Sequence, residues 1–167
     1  AGRLKGLGTN NRKGKAFVTS GLGGMSGAQA KALIVTGATG IIAEVDHDAI
    51  RQRIADHYIR EEDVFTDLDS MLTQFVKSKN AEEARCFVYQ GNIVEVWEKL
   101  VFRHIHIELG SDQTSCHNID HLGYCPVECT FEEAKALMDD DKEGFDQAIK
   151  RSLRRHVDAI NVMCSRG

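Results

Sequence analysis

Short apolar runs of β type alternate along this chain with segments of helical period, and no other feature constrains the fold as tightly. Ala16-Phe17-Val18-Thr19, Ile41-Ile42-Ala43-Glu44-Val45, Val64-Phe65, Cys86-Phe87-Val88-Tyr89 and Ile105 to Leu109 read as strands. Between the first of them, helices are expected over Ala28 to Val35 and from about Asp48 to Tyr58, the latter with Ile50, Ile54 and Tyr58 on one stripe. Another starts at Thr66 or Asp67 with Leu68, Met71, Leu72, Phe75 and Val76 inward, and Ile93 to Arg103 follows, with Trp97 at helical spacing from Val94 and Val101. Thr130-Phe131-Glu132-Glu133 has the spacing of a capping box and opens a further helix. The last helix carries Phe145, Ile149, Leu153, Val157 and Ile160 on one side. Strands that alternate with helices form a parallel sheet covered on both faces. Right-handed crossovers then make the expected fold α/β: a Rossmann-like, doubly wound, mostly parallel sheet with helices on both faces.

Composition narrows the class of protein. A length of 167 residues suits one domain. Residues 1–15, rich in glycine and bases without apolar period, read as a lead-in or linker, and 16–167 as the domain. With 42% hydrophobic and 28% charged residues the chain is not disordered. Its 21 Lys and Arg against 25 Asp and Glu give a net charge of −4, which lacks the cationic footprint of a nucleic-acid coat or a polybasic membrane anchor. No apolar run approaches the roughly 18 residues that span a bilayer. Five cysteines at irregular spacing suit reduced thiols better than a disulfide framework. The expectation is a cytoplasmic protein with neither nucleic-acid nor membrane partners. The start at Ala1 and the stop at Gly167 read as a piece of something longer.

Chemistry is concentrated where the first strand meets its helix. Gly21-Leu22-Gly23-Gly24-Met25-Ser26-Gly27 stands in the strand-to-helix context of a dinucleotide fingerprint. Gly21 would permit the tight turn, Gly23 and Gly24 the close approach of a pyrophosphate, and the helix N-terminus its unpaired N–H groups. Ser26 occupies the third fingerprint position, with glycine one step later at Gly27. Glu44, about twenty residues on at the end of the second strand, is placed to accept from ribose hydroxyls and to repel a 2′-phosphate, which favours NAD over NADP. Val35-Thr36-Gly37-Ala38-Thr39-Gly40 looks like the cofactor loop of short-chain dehydrogenases, but that reading needs Leu33 to Val35 as a strand. It also needs a Tyr-x-x-x-Lys pair, and Glu62, Ile93 and Glu128 stand four residues after the three tyrosines. An NAD oxidoreductase of that kind is therefore only an alternative.

The run from Phe17 to Ala32 resembles the nucleotide loop of the urocanase (urocanate hydratase) family. Further resemblance follows in Ile42-Ala43-Glu44-Val45-Asp46, Gly91-Asn92, Leu109-Gly110-Ser111-Asp112-Gln113-Thr114-Ser115-Cys116-His117-Asn118, Gly123-Tyr124-Cys125-Pro126-Val127, Phe131-Glu132-Glu133-Ala134 and Ser152-Leu153-Arg154-Arg155. The resemblance implies the family's central NAD-binding domain, in an enzyme whose NAD⁺ is held tightly and serves as an electrophile toward urocanate. Water then adds, NAD⁺ is regenerated, and imidazolone propionate is the product. By position it implies cofactor contacts at Gly23, Gly24, Met25, Ser26, Glu44, Asn92, Ile93, Gln113, Thr114, Ser115, Cys116, His117, Tyr124 and Cys125. No catalytic residue is implied within this chain, because the family's essential cysteine belongs to another segment. The chain alone is thus expected to lack hydratase activity and to hold NAD weakly or not at all. A homodimeric parent is implied as well. Two departures stand out: the family usually has Pro-Phe-Asn-Gly-Gly in place of Ile119-Asp120-His121-Leu122-Gly123, and often an arginine in place of Ala49.

Other features have simpler readings. Cys116, His117, His121, Cys125 and Cys129 contain the residue types of a zinc site, so a zinc-binding interaction module is a second alternative, but C-x₈-C-x₃-C matches no common finger. No metal is expected. His104 and His106 alternate with Ile105 and Ile107 and are expected on one strand face. Asp139-Asp140-Asp141 and the bases Lys150, Arg151, Arg154 and Arg155 suit a solvated helix with acids early and bases late.

Overall fold

The computed structural model describes residues 12–24, 26–111 and 122–166. The strands are β1 (Ala16–Ser20), β2 (Thr39–Glu44), β3 (Val64–Phe65), β4 (Arg85–Gln90) and β5 (Leu109–Gly110). The helices are α1 (Ala28–Thr36), α2 (His47–Ala55), α3 (Leu68–Asn80), α4 (Ile93–Phe102), α5 (Phe131–Asp140) and α6 (Lys142–Ser165). Strands lie in the order β3-β4-β2-β1-β5, and every pairing is parallel. From β1 the chain builds outward through β2 to β4, with the two-residue β3 beyond it, then returns to the other side of β1 at β5. That reversal is a topological switch point, where the loops leaving adjacent strands diverge and open a crevice. The expected doubly wound α/β architecture is present.

The strand pleat divides the core. Val18, Ile41 and Phe87 face α3, α4 and α6, where Met71, Leu72, Phe75, Trp97, Leu100 and Ala159 complete one cluster. Ile42, Cys86 and Val88 point the other way, against Ala30 and Leu33 of α1 and Ile50 of α2. Successive side chains alternate sides, so four-residue apolar runs feed both clusters. A third cluster, with Tyr124, Ala134, Phe145 and Ile149, seats the segment after residue 121 on α5 and α6.

Helix ends account for several details. Gly37 closes α1 at φ +76°, where its N–H and that of Ala38 satisfy the carbonyls of Ile34 and Leu33. The Val35–Gly40 stretch is thus a helix terminus running into β2, and Leu33 to Val35 are helical. The second helix is shorter than expected, ending at Ala55 rather than Tyr58, because His57 turns the chain left-handed at φ +57°. The Thr130–Glu133 capping box is formed, with Thr130 N–H donating to Glu133 at 2.8 Å and Glu133 N–H returning to Thr130 Oγ1 at 3.3 Å.

Three expectations fail. Ile105 to Leu109 is not one strand, since only Leu109 and Gly110 pair with β1. His104 ends α4 in a left-handed turn at φ +53°, and the Glu108 carboxylate accepts the Ala16 N–H at 2.8 Å where a ladder bond would stand. The alternation itself survives, with Ile107 buried and both histidines exposed. In the last helix the buried stripe is Phe145, Ile149, Ser152, His156, Ala159 and Met163, and Val157 is 52% exposed. Two polar residues belong to that stripe, so following apolar residues alone rotated the expected face. The acidic run is not one face of a continuous helix, since Asp141 separates α5 from α6 and caps the latter by accepting the Gly144 N–H at 2.9 Å. Among the bases, Arg151 pairs with Glu128 and Arg155 with Glu98, both at 2.7 Å.

Candidate functional site

The turn leaving β1 is fastened from both sides. Gly21 adopts φ +90°, which a side chain would strain, and donates to Ala43 of β2 at 2.8 Å. Leu22 is fully buried beneath the turn, and its N–H donates to Glu44 Oε2 at 2.6 Å while Asp46 N–H donates to Oε1 at 2.9 Å. Glu44 therefore ties the end of β2 to the first turn. Gly27 makes the close approach that a third fingerprint glycine provides: a Cβ there would lie 2.8 Å from Arg53 Cδ, 3.0 Å from Gly23 O and 3.3 Å from Leu22 O. The spare glycine at 27, one step past Ser26, thus has the packing role. The amides of Gly23, Gly24 and Ser26 have no acceptor among the described residues, and they stand at the N-terminus of α1. Open N–H groups at the positive end of a helix dipole suit a diphosphate.

The facing wall is a strap, residues 122–129, drawn over the end of β4. Asn92 caps α4 by accepting the Val94 N–H at 3.0 Å, and its Nδ2 donates to Cys125 O at 2.8 Å. Two residues further on, the Val127 N–H donates to Ser152 Oγ of α6 at 2.8 Å. Tyr124 is buried in the third cluster. Leu122 enters the strap at φ +53°, a region that favours glycine, at one of the positions where the sequence departs from Pro-Phe-Asn-Gly-Gly.

Between turn and strap lies a cleft of about 310 Å³ at the carboxyl ends of β1, β2 and β4. Gly23, Ser26, Glu44, Asn92, Ile93, Tyr124 and Cys125 line it together, far apart in sequence. Gly24 belongs to the same turn but does not line the cleft. Met25, Gln113, Thr114, Ser115, Cys116 and His117 lie outside the described residues. Sequence reasoning missed Val45, Asp46 and Phe131, which also line the cleft. Ala49 lines it too, so the departure from arginine bears directly on the cavity. A second recess, reached past Gly91 and Asn92, includes Tyr89, Glu95 and Cys129.

Electrostatics distinguish the groups. Burial pushes the Glu44 carboxyl above the usual range, and hydrogen bonds from the Asp46, Leu22 and Val45 amides oppose the shift only in part. Burial likewise holds the Cys125 thiol up at about 12, with the Cys129 thiol and the Glu44 carboxylate adding to the shift. Cys125 is therefore a neutral thiol near neutral pH, bonded to the carbonyls of Pro126 and Cys129 at 3.7 and 3.8 Å. Cys129 is shifted the same way, chiefly by burial. Among the described residues no three His, Cys, Asp or Glu side chains converge as a metal site, and Cys116, His117 and His121 lie outside them. No described helix is long and apolar enough to cross a membrane.

Comparison with known proteins agrees with this geometry. The Urocanase Rossmann-like domain family matches residues 2–167. A probable urocanate hydratase of Dictyostelium discoideum is 46% identical over 168 residues, covering 100% of this chain and 24% of the relative. The urocanate hydratases of Mus musculus and Homo sapiens are 45% and 44% identical over 160 residues, each match covering 93% of this chain and 23% of the relative. The chain thus spans about a quarter of the length of these curated relatives. With its switch-point cleft, its glycine turn and this match over nearly every residue, the chain belongs to the Urocanase Rossmann-like domain family.

Proposed function

We propose that this chain is the NAD-binding domain of a urocanate hydratase, an enzyme that adds water to urocanate to give imidazolone propionate in histidine degradation. The observation that carries the proposal is the pairing, across one cleft, of Gly23 and Ser26 amides that meet no acceptor among the described residues with the half-buried carboxylate of Glu44. In this reading those amides, with Met25, hold the pyrophosphate. Glu44 accepts from the adenosine ribose: a carboxylate has about four acceptor sites, more than the Leu22, Asp46 and Val45 amides fill, so the turn need not break to bind the sugar. Asn92 and Ile93, Gln113 to His117, and Tyr124 with Cys125 complete the cofactor contacts. Bound NAD⁺ would supply an electrophilic nicotinamide ring. This chain supplies binding and orientation, which is the protein's share of cofactor chemistry. Cys125, held neutral, packs and donates rather than attacking.

The urocanate reading is tested in a polypeptide of the relatives' full length that carries this domain. Loss of urocanate absorbance that persists in the presence of a metal chelator supports it. Absence of turnover, or its abolition by the chelator, contradicts it.

A further inference from the structure

The Ser152-Leu153-Arg154-Arg155 motif is not accounted for by any contact with the cleft. Arg155 pairs with Glu98 on the outer surface, while Ser152 is completely buried on the inner stripe of α6. A buried serine on a helix face shared with Phe145, Ile149, His156 and Ala159 costs stability unless its hydroxyl is used. Among the described residues it is used on the Val127 N–H at 2.8 Å. That amide lies two residues past Cys125, whose carbonyl is held by Asn92 at 2.8 Å. The strap is therefore gripped at two points by side chains from two different helices. Pro126, the only proline of the chain, stands between them and fixes its own φ. With both flanks held, Tyr124 and Cys125 have little freedom to rise from the cleft they line.

We infer that Ser152 is a positioning residue for nucleotide binding, setting the height of the Tyr124–Cys125 wall through the Val127 amide. The inference rests on the proposed NAD reading and adds to it a group that touches no ligand. Without the hydroxyl, the part-buried Val127 N–H loses its partner, and the strap must shift to find water or another acceptor. A shift of that kind widens the cleft on the side opposite the glycine turn.

The experiment measures NAD⁺ affinity by titration in a polypeptide of the relatives' full length that carries this domain, unsubstituted, Ser152→Ala and Ser152→Thr, at a temperature where all three are folded. Hydrogen exchange at the Val127 amide is read in parallel. Ser152→Ala is expected to speed Val127 exchange and to weaken NAD⁺ binding about tenfold, the scale of one lost hydrogen bond. Ser152→Thr, which keeps the hydroxyl, is expected to restore binding to within about twofold of the original. A folded Ser152→Ala protein with a deprotected Val127 amide and unchanged NAD⁺ affinity overturns the inference, since the bond would then serve stability alone. Unaltered Val127 exchange also overturns it. If the unsubstituted full-length polypeptide shows no binding, both the inference and the NAD reading fail, a result distinct from either variant effect.

Discussion

The two walls of the cleft are built by opposite means. The glycine turn is held by its own neighbourhood: Gly21 to β2, Leu22 to Glu44, and Gly27 against the carbonyls of residues four and five before it. The strap has few internal bonds of that kind and is held by Asn92 and Ser152, 33 and 25 residues away along the chain from the atoms they grip. A turn fixed locally announces itself as a motif. A segment fixed from a distance does not, because its anchors are ordinary polar residues until the fold brings them together.

Substitutions can break each wall separately. The largest effect is expected at Gly27→Val, where added carbons meet backbone oxygens that cannot move aside. A loss of about 3 kcal/mol in urea unfolding is expected, at the upper end for overpacking. Asn92→Ala should cost about 2 kcal/mol by removing a helix cap and leaving Cys125 O unpaired. Asn92→Asp should recover part of this loss, since it keeps the cap and loses only the donor to Cys125. An Asn92→Asp protein as stable as the unsubstituted one would show that the strap gains nothing from Asn92.

Glu44→Gln reports on the turn and on ligand choice together. It should weaken NAD⁺ binding about tenfold, for the loss of a charged acceptor to the ribose, and narrow the preference over NADP⁺. Its pH dependence has a definite sign. Because burial raises the folded-state pKa of Glu44, the folded protein holds this proton more readily than the unfolded chain. The associated stability is complete below the unfolded carboxyl range and is lost as pH rises through the folded value. The unsubstituted protein should therefore gain stability relative to Glu44→Gln as pH falls through that window, measured by paired denaturant titrations. The smallest effect is expected at Ala49→Arg, a cation added at the cleft rim, which should raise nucleotide affinity severalfold in isothermal titration and lose that gain in high salt.

Much of this was legible in the sequence for physical reasons. Strand runs such as Cys86-Phe87-Val88-Tyr89 are apolar on both faces because helices cover both, and the Thr130 capping box is a purely local bond pattern. The glycine turn and Glu44 could be placed together because strand, turn and spacing are short-range properties. What escaped was long-range. Ser152 and His156 look like polar interruptions of an apolar stripe, and only the packing of α6 under the strap gives Ser152 its use. Ile105 to Leu109 keeps strand alternation, yet Glu108 takes the Ala16 N–H and shortens the ladder, a competition invisible to periodicity. Glu44 was legible as an acceptor, but its grip on the Leu22 amide appears only with the turn in place.

The central claim is that a diphosphate rests on the open amides of the turn after β1. The direct measurement is a backbone amide NMR titration of this chain with NAD⁺. The largest shifts are expected at Gly23, Gly24 and Ser26, with smaller ones at Glu44, Asn92 and Cys125. A turn whose amides stay unmoved at saturating NAD⁺, with shifts instead around Lys31, Tyr58 and Arg60 in the groove beside α1, would contradict it.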